Sequence, residues 1–229
     1  MKAWLLRQLP PAWKHAARAR LNAWQRDRKA PRMLRGYTDA TGQWRPWVRM
    51  SDTVLIQCPE RVVLEDHCFV WHYSILDGTG GLEIGEGCHI GGWVGIFTHS
   101  SHFALRIYGR HYREVPAAQR VGFRTAPVRI GRFVAIGANT LVMPGVSIGD
   151  GAGIMAGSIV QSNVAPFALV GGNPARVLGD MRRFDRRLLR QHPEMIPWYQ
   201  EWQRANGESS EGTDTAADSD PGRAPAPDA

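Results

Sequence analysis

VRIGRFVAIGANTLVMPGVSIGDGAGIMAGSIVQSNVA, residues 128–165, repeats every six residues. Counted from Ile130, the first position of each unit is Ile130, Ile136, Val142, Ile148, Ile154 and Val160. Four residues after each comes Val134, Thr140, Val146, Ala152, Ser158 or Val164, all small or β-branched. A helix repeats every 3.6 residues and a strand every 2, so neither explains an aliphatic residue at one phase of six and a slim one at another. Such a unit runs as a short strand and turns on Gly, Asp or Asn, and three of them close one triangular coil. A lone coil would leave its apolar interior and its backbone groups unsatisfied, which calls for a stack of coils, an all-β solenoid.

Upstream, Leu64, Val70 and Leu76 and then Ile84, Ile90 and Ile96 continue the pattern, with two additional residues before Ile84. Ile96 and Ile130 are separated by 34 residues, which is not a multiple of six, so a loop of about residues 102–127 is thrown out of the stack. Loops of that length in a compact repeat are more often functional than not. This one carries Arg106, Tyr108, Arg110, His111, Tyr112 and Arg113, side chains suited to gripping a polyol or a phosphate.

The expected organisation is a basic helix and irregular lead-in over residues 1–53, a repeat domain over 54–180, a helical segment over 181–206 and a disordered acidic tail over 207–229. The helix is predicted over residues 11–29, between Pro11 and Pro31, with Trp13, Ala17, Leu21 and Trp24 on one face. That face either caps the open end of the solenoid or a neighbouring subunit, or lies on an anionic membrane surface. In the second helical segment Pro193 and Pro197 should divide the chain into two pieces. The tail has no large apolar residue to offset the entropy of ordering.

The net charge of +7 is concentrated at one end: residues 1–36 hold ten Lys or Arg against Asp27 alone. This suggests an interaction arm more than a nucleic-acid-binding fold. No run reaches the roughly 18 apolar residues of a membrane span. The first nine residues lack a secretory leader's apolar core. Cys58, Cys68 and Cys88 are odd in number, and the last two fall at inward slim positions, which reads as reduced core thiols. The cytoplasm is the expected compartment, with the inner face of the membrane as a peripheral site for the arm.

The hexapeptide series, the histidine-bearing IFTHSSHF before the loop and the terminal GNPAR resemble the left-handed β-helix acyltransferases of the hexapeptide-repeat superfamily. Within it the similarity is to sugar and polysaccharide O-acetyltransferases of the maltose, galactoside and Nod-factor type, over roughly residues 54–180. The resemblance implies the left-handed sense of the parallel β-helix, acetyl-CoA as acyl donor with no metal, a sugar or glycan-precursor acceptor, and a homotrimer with sites between subunits. Acyl transfer to a hydroxyl needs a base, which a histidine supplies without a covalent intermediate. Counting from Ile96, the reading prefers His102 and keeps His99 as the other candidate. Asp77 matches an Asp that in similar enzymes lies in the acceptor site and orients the catalytic His, although it also suits a capped turn. Tyr73 stands where relatives can carry Asn, and with Arg106 and Tyr108 it makes up the candidate acceptor contacts. For the donor the candidates are Gly137, Ala138, Ala156, Gly157 and Ser158, whose small size permits close approach of pantetheine, with Asn173 and Arg176 of the GNPAR turn near the CoA phosphates.

Rival readings use the same residues. A γ-type carbonic anhydrase would bind metal through His67, His72 and His99 or His102, but their order along the chain differs from that family's and GNPAR goes unexplained. A catalytically idle trimeric scaffold would leave the two histidines before the loop without a role. Among acetyltransferases, N-acetylation of an amino or nucleotide sugar and acetylation of a xenobiotic remain alternatives. Serine acetylation lacks its long helical N-terminal domain here.

Overall fold

The six-residue phase becomes three parallel sheets in the computed structural model, which describes residues 11–205. Inward side chains stack in columns, one per sheet. Met50, Val70, Ile90, Ile136, Ile154 and Val170 form the first. Ile56, Leu76, Ile96, Val142 and Val160 form the second, and Leu64, Ile84, Ile130 and Ile148 the third. The columns are aliphatic because each residue packs on the same phase of the coils above and below, and nearly all of them are buried. The first position of every hexad counted from Ile84 and Ile130 falls in this core, whereas the slim position Ser100 leaves it for the loop that follows.

Between the sheets lie three corners. At the one joining the third sheet to the first, Phe133 and Phe167 take positive φ and lay their rings over Gly87 and Gly151 of the preceding coils. A Cβ on Gly87 would run into the Phe133 ring, so a side chain there would displace the ring. Cys68 and Cys88 are free, buried thiols whose Sγ atoms bond Gly85 O and Gly131 O. Interaction with Cys68, then burial, pushes the Cys88 thiol up, which keeps it protonated and inert.

Both ends of the stack depart from the repeat. The lead-in expected to be irregular is a hairpin, Met33–Thr38 with Trp44–Ser51, whose second strand joins the first sheet at Arg49 and Met50. Its turn is organised by buried Asp39, which accepts from Thr41 N at 2.9 Å and from the Arg45 guanidinium at 2.8 Å. At the other end Ala168–Gly172 extends the first sheet and folds back against Ala175–Asp180. The GNPAR segment is the tip of this hairpin, turning at a cis Asn173–Pro174 bond.

Helix α1, Pro11–Lys29, has the predicted bounds, and Trp13, Leu21 and Trp24 are exposed on it. The reading that its apolar face caps the solenoid of the same chain is therefore not met. Helix α2, His102–Tyr108, lies in the extruded loop. The chain divides into two units after Met181. The described part of the second holds α3, Met181–Gln191, from its second residue on, and α4, Ile196–Ala205, separated at Pro193. Pro197 sits in the first turn of α4, where its missing N–H costs nothing, so only Pro193 divides the segment. The acidic tail and the first ten residues of the basic arm lie outside the described residues.

Candidate active site

The corner joining the second sheet to the third is where the chain leaves the stack. Strands His99–Ser100 and Arg124–Thr125 pair antiparallel to form a neck, and Ala126 N returns to Thr98 O at 2.9 Å. One coil earlier, Asp77 ends the strand Ile75–Asp77 on the same sheet. Stacking the coils therefore brings Asp77 against His99, 22 residues along the chain: Asp77 Oδ2 and His99 Nδ1 are 2.6 Å apart.

The Asp77 side chain has no exposed surface, whereas that of His99 is 27% exposed. Burial would raise the Asp77 pKa, but hydrogen bonds from Thr79 Oγ1, Thr98 N, Thr79 N and His99 together outweigh it and hold the carboxyl at about 2. An ionised carboxylate only accepts, so His99 Nδ1 donates to it, which leaves Nε2 as the ring nitrogen available to take a proton from a substrate. The Phe123 ring stacks on the imidazole at 5.8 Å between centroids. A buried anion that fixes the tautomer of a partly exposed imidazole is the arrangement of a general base and its orienting group.

His102, the preferred base in the sequence reading, does not share this arrangement. It is the first residue of α2, is exposed, and its Nδ1 lies 2.8 Å from Ser100 Oγ. Thr79, Thr98 and Phe123 were not singled out from sequence. The only cue was Thr79 two residues after Asp77, the spacing of a side-chain turn. Arg106 is exposed on α2, and Tyr108 OH accepts from Val121 N at 3.1 Å, tying the loop to itself.

The donor candidates gather on a different corner, the one joining the first sheet to the second. Hydrogen bonds from Trp93 N to His72 O, Asn139 N to Gly92 O and Gly157 N to Ala138 O run up this corner. Tyr73, Gly137, Ala138, Ala156, Gly157 and Ser158 therefore share it, and the Asn173 turn follows Gly172, whose N–H donates to Ser158 Oγ at 3.2 Å. Ser158 is buried with its hydroxyl also donating to Met155 O, so it braces the coil. Arg176 is exposed and donates to Ala175 O. Tyr73 stacks on Trp93 at 4.5 Å, away from Asp77. On the His99 corner itself the small residues include Gly78, Gly80, Gly81, Ala126 and Gly145, and a Cβ on Gly145 would lie 3.3 Å from that of Ala126.

The three histidines of the metal reading fall on three corners. His67 stacks on Trp47, His72 Nδ1 lies 2.7 Å from Ser51 Oγ, and His99 is held by Asp77. Among the described residues no three His, Cys, Asp or Glu gather into a metal-holding group.

The chain is similar to known acetyltransferases. The chloramphenicol acetyltransferase of Morganella morganii is 31% identical over 141 residues, 58% of this chain and 66% of the relative. The galactoside O-acetyltransferase of Escherichia coli K12 is 34% identical over 93 residues, covering 41% of this chain and 40% of that enzyme. A hexapeptide-repeat-containing acetyltransferase from Vibrio cholerae superposes with a TM-score of 0.50 at 26% identity, over 58% of this chain and 69% of that one. The chain spans less than two thirds of the length of the curated relatives it matches. No family model matches it.

Proposed function

The chain belongs to the hexapeptide-repeat acetyltransferase family, and from that premise we propose that it transfers an acetyl group from acetyl-CoA to a hydroxyl of a sugar or glycan precursor. The observation that carries the reading is the 2.6 Å contact between buried Asp77 and His99. His99 Nε2 takes the proton of the acceptor hydroxyl as its oxygen attacks the thioester carbonyl carbon. The tetrahedral intermediate then collapses, the carbon–sulfur bond breaks, and the CoA thiolate recovers the proton from the imidazolium. Asp77 steadies the positive charge that His99 acquires, while Thr79 and Thr98 keep the carboxylate ionised and in place.

We propose that the thioester end of the donor lies at the His99 corner, beside Ala126 and Gly145. Gly137, Ala138, Ala156, Gly157, Asn173 and Arg176 can serve the same donor only where a second subunit brings its own corner up to His99, as a homotrimer would. Trimerisation is thus part of the proposal.

A second reading, favoured by the greater share of the chloramphenicol acetyltransferase that is matched, is that the hydroxyl belongs to a xenobiotic alcohol. Release of CoA thiol from acetyl-CoA, measured across sugars, nucleotide sugars, amino sugars and chloramphenicol, separates the two. Turnover with a sugar hydroxyl that disappears in His99→Ala is the expected result. Turnover confined to chloramphenicol would replace the sugar reading, and turnover undiminished in His99→Ala would overturn the assignment of the base.

A further inference from the structure

We propose that helices α1 and α3 are interfacial helices that seat this protein on the surface of an anionic lipid bilayer. Helix α1 holds six Lys or Arg against Asp27 alone, and α3 holds five Arg against Asp185. At 3.6 residues per turn, Trp13, Ala17, Leu21 and Trp24 fall on one side of α1 together with Arg20 and Arg28, and Arg18, Arg26 and Lys29 on the other. In α3 the same period sets Phe184 and Leu188 opposite Arg183, Arg186 and Arg190, with Arg187 on the border between the two sides.

The apolar sides are open. Trp13 is 68% exposed, Trp24 53%, Phe184 55% and Leu188 47%. Large apolar side chains left in water on two helices that are also strongly basic match the two attractions of an anionic interface, apolar burial at the acyl boundary and charge at the headgroups. Arg28 lies over the Trp24 ring at 4.6 Å, so a cation stands on the apolar side beside a Trp, a pairing suited to the headgroup level. Duplex DNA would satisfy the arginines of either helix but not the exposed Trp, Phe and Leu side chains. Neither helix can span a bilayer: among the described residues no helix is long and apolar enough to cross a membrane. One weak interfacial helix binds reversibly.

The test is flotation of the full chain with vesicles of phosphatidylcholine alone and of phosphatidylcholine with phosphatidylglycerol at about 3:1. Expected is binding to the anionic vesicles, little to the neutral ones, and release as salt is raised toward about 0.5 M. Arg18→Glu with Arg26→Glu, or Arg183→Glu with Arg187→Glu, should each weaken binding about tenfold, and all four together should weaken it further than either pair. Trp13→Ala with Trp24→Ala should weaken it at low salt as well, with the far-UV spectrum and Tm unchanged.

Equal flotation of wild type and charge-reversed variants would overturn the proposal, as would no flotation with anionic vesicles. Retention on DNA in place of vesicles would assign the helices to nucleic acid. A fall in oligomeric mass in the Trp13→Ala, Trp24→Ala variant, with vesicle binding intact, would assign the α1 face to a subunit contact. None of these readouts depends on acetyl transfer, so their failure and that of the enzymatic reading are distinguishable.

Discussion

Asp77 is placed to act in two ways. Its carboxyl, held at about 2 in the folded chain, stays ionised throughout the working range. Because the folded pKa lies below that of an unfolded Asp, near 3.9, the stabilisation it brings is fully present above about pH 4 and lost as pH falls toward 2. It amounts to roughly 2 kcal/mol. Asp77→Asn should therefore flatten that part of the acid limb of stability, measured by urea midpoint between pH 5 and 2, although loss of the charge also weakens the buried network at neutral pH. In catalysis the same substitution lets the amide donate to His99 Nδ1 and so favours the wrong tautomer. The expected loss in kcat is roughly 10²- to 10⁴-fold with KM for the acceptor little changed. His102→Ala is expected to keep kcat within about threefold, since among the described residues its ring meets Ser100 Oγ and the neighbouring Phe103 and not Asp77. If instead His102→Ala matches the loss seen for Asp77→Asn, the base has been misassigned.

The element that joins this residue to the fold is the neck of the loop. Its two strands pair at His99 with Thr125 and Ser100 with Arg124, and Phe123 on the returning side stacks on the His99 ring. The stack below is closed independently, since the third-sheet strand Val128–Ile130 pairs with both Leu82–Ile84 and Ser147–Ile148. Replacing residues 103–122 by a short Gly/Ser linker should thus leave a cooperative melt within a few degrees of wild type. Acetyl transfer should fall because the neck and Phe123 no longer hold the imidazole. Ile130→Ala is the contrasting case: it opens a cavity between Ile84 and Ile148 and should cost roughly 2–5 kcal/mol in chemical unfolding. A loop deletion that unfolds the chain as thoroughly as Ile130→Ala would show that the loop is part of the core.

For the whole molecule, legibility followed the repeat. Ile84, Ile90, Ile96 and the six positions from Ile130 could be read because stacking imposes one demand on each of them, and sequence records it every six residues. The two end hairpins carry no such phase. Tyr37 opposite Arg45, and Gly171 opposite Arg176, are pairings that only the neighbouring strand reveals. The preference for His102 came from counting along one strand, while the partner that distinguishes His99 comes from the coil before it. Corner membership was hidden for the same reason: Gly137 and Gly157 have the small size a donor groove needs, yet they lie on a corner His99 does not occupy.

That separation makes the assembly testable. If the His99 corner of one subunit is completed by the Ala138 corner of the next, His99→Ala and Ala138→Trp chains are each inactive alone but complement one another when refolded together. In randomly mixed trimers about a quarter of the sites then combine an intact base with an intact donor corner, so about a quarter of wild-type activity should return. The mixed sample should scatter light as an assembly three times the 25.5 kDa chain mass. A trimer of two inactive chains without recovered activity would mean that His99 and the Ala138 corner serve one site from the same subunit, whereas an Ala138→Trp chain that is active alone would mean that the donor is held at the His99 corner without Ala138. A monomer with full activity in the wild type would remove the shared site altogether.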